Sequence, residues 1–177
     1  MNSGSDSSAE SEQPAPAGLS HVVQGDSGAE ARMVDVSAKA VTERRALARA
    51  RVRFPVGRLG PVLAGGGPKG PIQELARAAG ILGAKRTGEL VPMCHPLGLD
   101  HVEIRFFEPE PDVLEVRCTA ACRGRTGVEM EAMTGASLAA LCVYDMTKAL
   151  DKGIRIEAVE LLEKSGGASG HWRASES

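Results

Sequence analysis

From Glu129 to Leu150 the chain runs without a proline and is rich in Ala, Leu and Met, and no other stretch restricts the fold so strongly. Such residues lose little freedom in a helix, so the run sustains roughly five or six helical turns, with Gly153 beyond it as a terminator. Just upstream the pattern changes period. His101 to Phe107 places Val102, Ile104 and Phe106 on one side and Glu103 and Arg105 on the other, the alternation of a half-buried strand. Leu114, Val116 and Cys118 repeat it after the turn-like E-P-E-P-D, which predicts an antiparallel hairpin. A last strand, Ile154 to Leu162, alternates at Ile154, Ile156 and Ala158 and then shifts phase at Val159 and Leu161, which predicts a bulge. The class is α+β, an antiparallel sheet with helices packed on one face.

Two further helices are expected. Thr42 reads as an N-cap, with Glu43 in the first turn and Ala46, Leu47 and Ala50 on one face of a short helix that stops before Pro55. After the loop G-G-G-P-K-G-P, the residues Ile72, Leu75, Ala76, Ala79 and Leu82 recur at helical spacing up to about Arg86, behind Pro71 at the tolerated first-turn place. Residues 1–28 are rich in Ser, Gly, Ala, Pro and acidic side chains with neither period, and read as a disordered tail before a single domain over residues 29–177.

The 21 basic and 23 acidic residues give a formal charge of -2, so no global field draws nucleic acid or an acidic membrane, and an anionic ligand must meet a local cluster. Aromatic residues are only 3%, which leaves few platforms for stacking bases. No stretch reaches the roughly 18 apolar residues of a membrane span, and no export signal is visible, so a cytoplasmic protein with reduced thiols is expected. Cys118 and Cys122 lack the paired short spacings of a zinc site, and no metal is expected.

Asp145 and Lys148 sit three apart on the long helix and share a face; they read either as a solvated pair or as a partly buried one that marks a site. Glu129 and Glu131 open that helix. In a helical first turn their role is to complement the dipole, whereas in extended backbone they would point the same way as a close carboxylate pair, which raises one pKa and supplies a general acid and a general base. P-M-C-H-P fixes Cys94 and His95 between two prolines, His95 as a structural imidazole or a general acid. Lys69 and Lys164 lie in glycine-rich segments that do not match the G-x-x-x-x-G-K-[ST] loop, although such loops can still cradle phosphate.

In order along the chain, M-V-D-V-S-A-K, G-A-K-R-T, P-M-C-H-P-L, T-G-V-E-M-E-A, Y-D-M-T-K-A and K-S-G-G closely resemble the cyclic pyranopterin monophosphate synthase family of molybdenum cofactor biosynthesis, over about Met33 to Trp172. The resemblance implies a ferredoxin-like fold and a homohexamer, a trimer of dimers, with its pocket at a subunit interface. It implies conversion of 3',8-cyclo-dihydro-GTP, supplied by a radical GTP cyclase, into the cyclic phosphate with loss of pyrophosphate, without a cofactor. It assigns Lys69, His95, Glu129, Glu131, Asp145 and Lys148 to catalysis, with Asp145 at the position of the active-site acid or base, and Met93, Cys94, His95, Met130, Glu131 and Lys164 to substrate contact. Met93 stands where Leu is usual, Pro71 where Asp commonly follows K-G, and Arg125 where Lys or Pro is frequent. Two other readings compete: a non-catalytic nucleotide-binding module, which needs the lysines but not the carboxylates, and a thiol hydrolase centred on Cys94.

Overall fold

The computed structural model describes residues 22–25 and 28–175, in two units, Met1–Val34 and Asp35–Ser177. Within the first unit, β1 (Val22–Gly25) and β2 (Gly28–Ala31) pair as an antiparallel hairpin, Val22 opposite Ala31. The rest of the segment expected as a tail lies outside the described residues.

The second unit opens with a strand where a helix is expected. Residues Thr42–Arg53 are not a helix but β3, a twelve-residue strand. Ala46, Ala48, Ala50 and Val52 are buried on one side of it, and Arg49, Arg51 and Arg53 emerge on the other, a period of two. Alanine favours helix in isolation, but here the backbone is claimed from both flanks, and tertiary pairing overrides propensity.

The chain continues through α1 (Leu59–Gly65), α2 (Ile72–Lys85), α3 (Thr87–Leu90), β4 (His101–Glu110), β5 (Val113–Gly124), α4 (Glu129–Thr147), β6 (Arg155–Ser165) and β7 (Trp172–Arg173). The sheet is antiparallel in the order β4-β5-β3-β6-β7, and helices cover one of its faces, the α+β ferredoxin-like arrangement expected. The predicted hairpin is β4–β5, with Ile104 opposite Cys118. The long helix forms as α4, although Thr147 ends it well before Gly153. The expected bulge is present, one extra residue of β6 opposite the Arg51/Val52 step, and a second, not expected, lies opposite Leu47/Ala48.

The α2 face differs from expectation. Ile72 and Ala76 are buried, but Leu75 and Leu82 are 46% and 52% exposed, while Gly80, Gly83 and Ala84 turn inward. A Cβ on Gly80 would stand 2.9 Å from the Gly135 carbonyl oxygen of α4, and one on Gly83 would stand 2.9 Å from Leu138 Cβ. The two helices therefore touch backbone to backbone, and bulky residues are displaced outward.

The uncovered face of the sheet is polar. Glu115 is only 1% exposed, yet Arg117 donates from Nε at 2.6 Å, and the guanidiniums of Arg51 and Arg49 lie at 3.6 and 3.7 Å. Burial of a lone carboxylate would be costly; three cations around it offset that cost.

Candidate active site

At the N-terminal end of α4 the backbone is helical from Glu129, which settles how the two glutamates stand. Residues two apart on a helix point about 200° apart, so they do not face one way. Glu129 turns outward, its Oε1 3.1 Å from Lys164 Nζ. Glu131 turns inward and is 3% exposed. Desolvation raises its pKa above the ordinary carboxylate value, opposed by its own backbone N–H and reinforced by the Glu129 charge.

Burial pushes the thiols of Cys94 and Cys122 upward, helped at Cys94 by the Glu131 carboxylate and at Cys122 by Asp100 and then Glu131. A thiol held protonated is a poor nucleophile, which weighs against a hydrolase built on Cys94. His95 follows it, half-buried, in the loop between α3 and β4, and Met93 and Met130 are 37% and 40% exposed at the same end. Beside Glu129 lies a cleft of about 530 Å³ whose wall includes Lys39, Arg44, Arg45, Arg125 and Lys164. Together with the positive end of the α4 dipole, these five cations make the cleft suited to a multiply charged anion. The Thr42 hydroxyl, also on this wall, is buried and has no hydrogen-bond partner among the described residues.

The C-terminal end of α4 carries a different group. Asp145 Oδ1 lies 2.8 Å from Lys148 Nζ, and Asp145 Oδ2 accepts from Lys69 Nζ at 2.7 Å. Reciprocal backbone bonds between Gly67 and Gly70, 3.0 and 3.1 Å, close the small loop that presents Lys69. All three side chains are half exposed, so of the two readings of the Asp145 and Lys148 pair the solvated one holds, enlarged by Lys69. Hydrogen bonds from Lys148 and Lys69 hold the Asp145 carboxyl down to about 2, and the pair raises Lys148 in return.

The two groups are far apart. Fourteen residues of α4 separate Glu131 from Asp145, a rise of about 21 Å at ~1.5 Å per residue. One chain thus brings together Glu129, Glu131, Cys94 and Lys164, and separately Lys69, Asp145 and Lys148. It does not bring the two sets to one pocket.

Comparison with known proteins addresses the chemistry. A family model described as the MoaC family matches residues 33–167. The chain belongs to the MoaC family. The cyclic pyranopterin monophosphate synthase of Novosphingobium aromaticivorans is 52% identical over 158 residues, which cover 89% of this chain and 98% of that protein. Its counterpart in Chloroflexus aggregans is 49% identical over 160 residues, 90% of this chain and 95% of that one. For a MoaC-family chain the resemblance had assigned residues at both ends of α4 but left out most of the cationic wall: Arg44 and Arg45 were read as part of a helix, and Arg125 only as a departure. One signal was available. Arg44 continues the core-facing series of Ala46, Ala48, Ala50 and Val52, and a charge on that series marks where the core gives way to a cleft.

Proposed function

We propose that the chain is a cyclic pyranopterin monophosphate synthase, taking 3',8-cyclo-dihydro-GTP from a radical GTP cyclase and releasing pyrophosphate, in molybdenum cofactor biosynthesis. The observation that carries the reading at the level of the site is a cleft walled by five cations at the N-terminal end of α4, the end that also holds the desolvated carboxyl of Glu131. Opening and rebuilding the purine ring requires proton transfers in both directions, which suits a carboxyl raised above its ordinary pKa together with His95. In the last step a sugar-derived hydroxyl attacks the innermost phosphorus. A new P–O bond forms, the bond to the bridging oxygen breaks, pyrophosphate departs with the electron pair, and the hydroxyl proton passes to a basic group of the site or to water. Cations stabilise that leaving charge and position the chain of phosphates.

Asp145, Lys148 and Lys69 act in this reading as a charged unit. Asp145 stays ionised and orients the two ammonium groups toward substrate, while Met93, Cys94 and Met130 pack against it. Because these residues stand about 21 Å from Glu131 in one chain, the site is completed by a second copy, in a homo-oligomer that the resemblance implies is a hexamer built as a trimer of dimers. The cytoplasm is the expected compartment. The purified chain, supplied with the cyclised substrate, should release pyrophosphate and yield a pterin carrying a cyclic phosphate. Binding of that substrate without either product would leave a nucleotide-binding module as the better reading.

A further inference from the structure

We propose that Arg44 is a positioning residue of this site, a guanidinium brace that ties the K-S-G-G loop carrying Lys164 to the turn that opens α4. The inference rests on the functional reading above and adds to it a residue that acts through others. Arg44 lies on the core-facing side of β3, at the end where the alanine series runs out. Its Nε donates to the Gly124 carbonyl at 3.4 Å and its Nη2 to the Arg125 carbonyl at 3.3 Å, so one planar fork spans two successive peptides of the turn leading to Glu129. Among the described residues no carboxylate forms an ion pair with it.

The other edge of the same guanidinium rests on the loop. A Cβ on Gly167 would overlap Arg44 Nη1, and a Cβ on Gly166 would overlap the Glu43 carbonyl oxygen. The φ angles are 100° at Gly166 and 70° at Gly167, a region glycine enters without strain. Both glycines are thus explained by what β3 places against them. Lys164 is three residues from Gly167 and Glu129 four residues from the Arg125 carbonyl, and the two side chains meet at 3.1 Å. Arg44 sits between the segments and sets their separation.

The brace makes Arg44 replaceable neither by a point charge nor by a shape. Arg44→Lys keeps the charge but cannot fork across two carbonyls. In the full chain, Arg44→Lys, which keeps the charge on the cleft wall, should lower kcat on the order of 10²-fold, the scale of a roughly 1 Å misplacement, while KM changes less than about threefold; Arg44→Ala should lower kcat at least as far and raise KM as well. Added guanidinium should restore part of the Arg44→Ala rate, and methylammonium should not. Amide exchange should quicken in residues 124–128 and 164–169 and elsewhere stay as in the parent. Because Gly167→Ala breaks the same contact, the double variant Arg44→Ala with Gly167→Ala should be no slower than the worse single one. Near-parental kcat for Arg44→Lys, a KM increase at constant kcat, unchanged exchange in both segments, or additive losses would each overturn the brace. The exchange measurement needs no turnover, so it decides the role of Arg44 even if the parent chain fails to release pyrophosphate and the functional reading falls.

Discussion

The two ends of α4 hold acidic residues of the same chemistry in opposite conditions. At the first turn Glu131 is buried and its carboxyl is pushed up, toward keeping a proton; near the last turn Asp145 is half exposed between two lysines and pushed down to about 2. Burial decides the first and hydrogen-bonded cations the second. A single helix thus separates a group suited to moving protons from one suited to holding charge, and spaces them about 21 Å apart. In the function proposed above, which uses both ends, neither end is a complete site.

The largest effect expected is at the buried end. Glu131→Gln should reduce turnover by about 10² to 10⁴, the range for loss of a general acid or base. Its stability should move the other way. A carboxyl whose folded pKa is raised favours folding most at low pH, and that advantage is lost as pH rises through the folded value. Unfolding midpoints measured against pH should therefore show Glu131→Gln gaining on the parent as pH increases; the opposite trend would place Glu131 in a structural ion network.

At the exposed end, Asp145→Asn should reduce turnover on the order of 10² by releasing Lys69 and Lys148 from their positions, with thermal stability little changed. Retained turnover in the folded variant would remove Asp145 from the site. The two variants also test each other. Coexpressed so that mixed oligomers form, inactive Glu131→Gln and Asp145→Asn chains should recover about a quarter of the parental rate if each site draws one end from each copy, since half of randomly formed pairs carry one intact site. No recovery in isolated mixed oligomers would mean that both ends serve separate sites or that one is not used.

Smaller effects come from the middle of the helix and from acid. Gly80→Ala inserts a methyl 2.8 Å from Ile104 Cδ1 and 2.9 Å from the Gly135 carbonyl oxygen, and denaturant unfolding should register a loss of about 1–3 kcal/mol. The smallest concerns Asp145 itself. Its depressed carboxyl contributes stability that is complete above the ordinary value of 3.8 and lost as pH falls toward about 2. The difference in stability between the parent and Asp145→Asn should close across that window and shrink in high salt. A difference independent of pH would point to lost packing instead.

Much of the frame was legible because it repeats a period. β4 and β5 alternate cleanly, and α4 is long and free of proline. β3 was misread because alanine carries little hydrophobic signal and Leu47 falls out of phase with Ala46, Ala48 and Ala50, so helix propensity prevailed over an alternation that only flanking strands enforce. Leu75 and Leu82 misled for the converse reason: glycines, which carry no hydrophobicity at all, form the face of α2 that meets α4. The site residues were named from motif order, while their division between two ends of one helix follows from where α4 begins and stops. Arg44 escaped notice because its role depends on β3 being a strand.

The second bulge of β6 has a bearing on the sign of the cleft wall. Directly opposed residues share a face, and the pairing puts Lys164 opposite Ala46, on the core side, and Glu163 opposite Leu47, on the open side. Both places depend on the one extra residue, Leu162, between the pairs Ala48 with Leu161 and Leu47 with Glu163. In an uninterrupted ladder Glu163 would fall opposite Ala46 and Lys164 opposite Arg45, and the wall would present an anion to an anionic substrate. The strand works as a counter whose parity is read as charge: a single-residue insertion or deletion there would replace the β6 cation of the cleft wall by an anion while every side chain in the motif stayed the same.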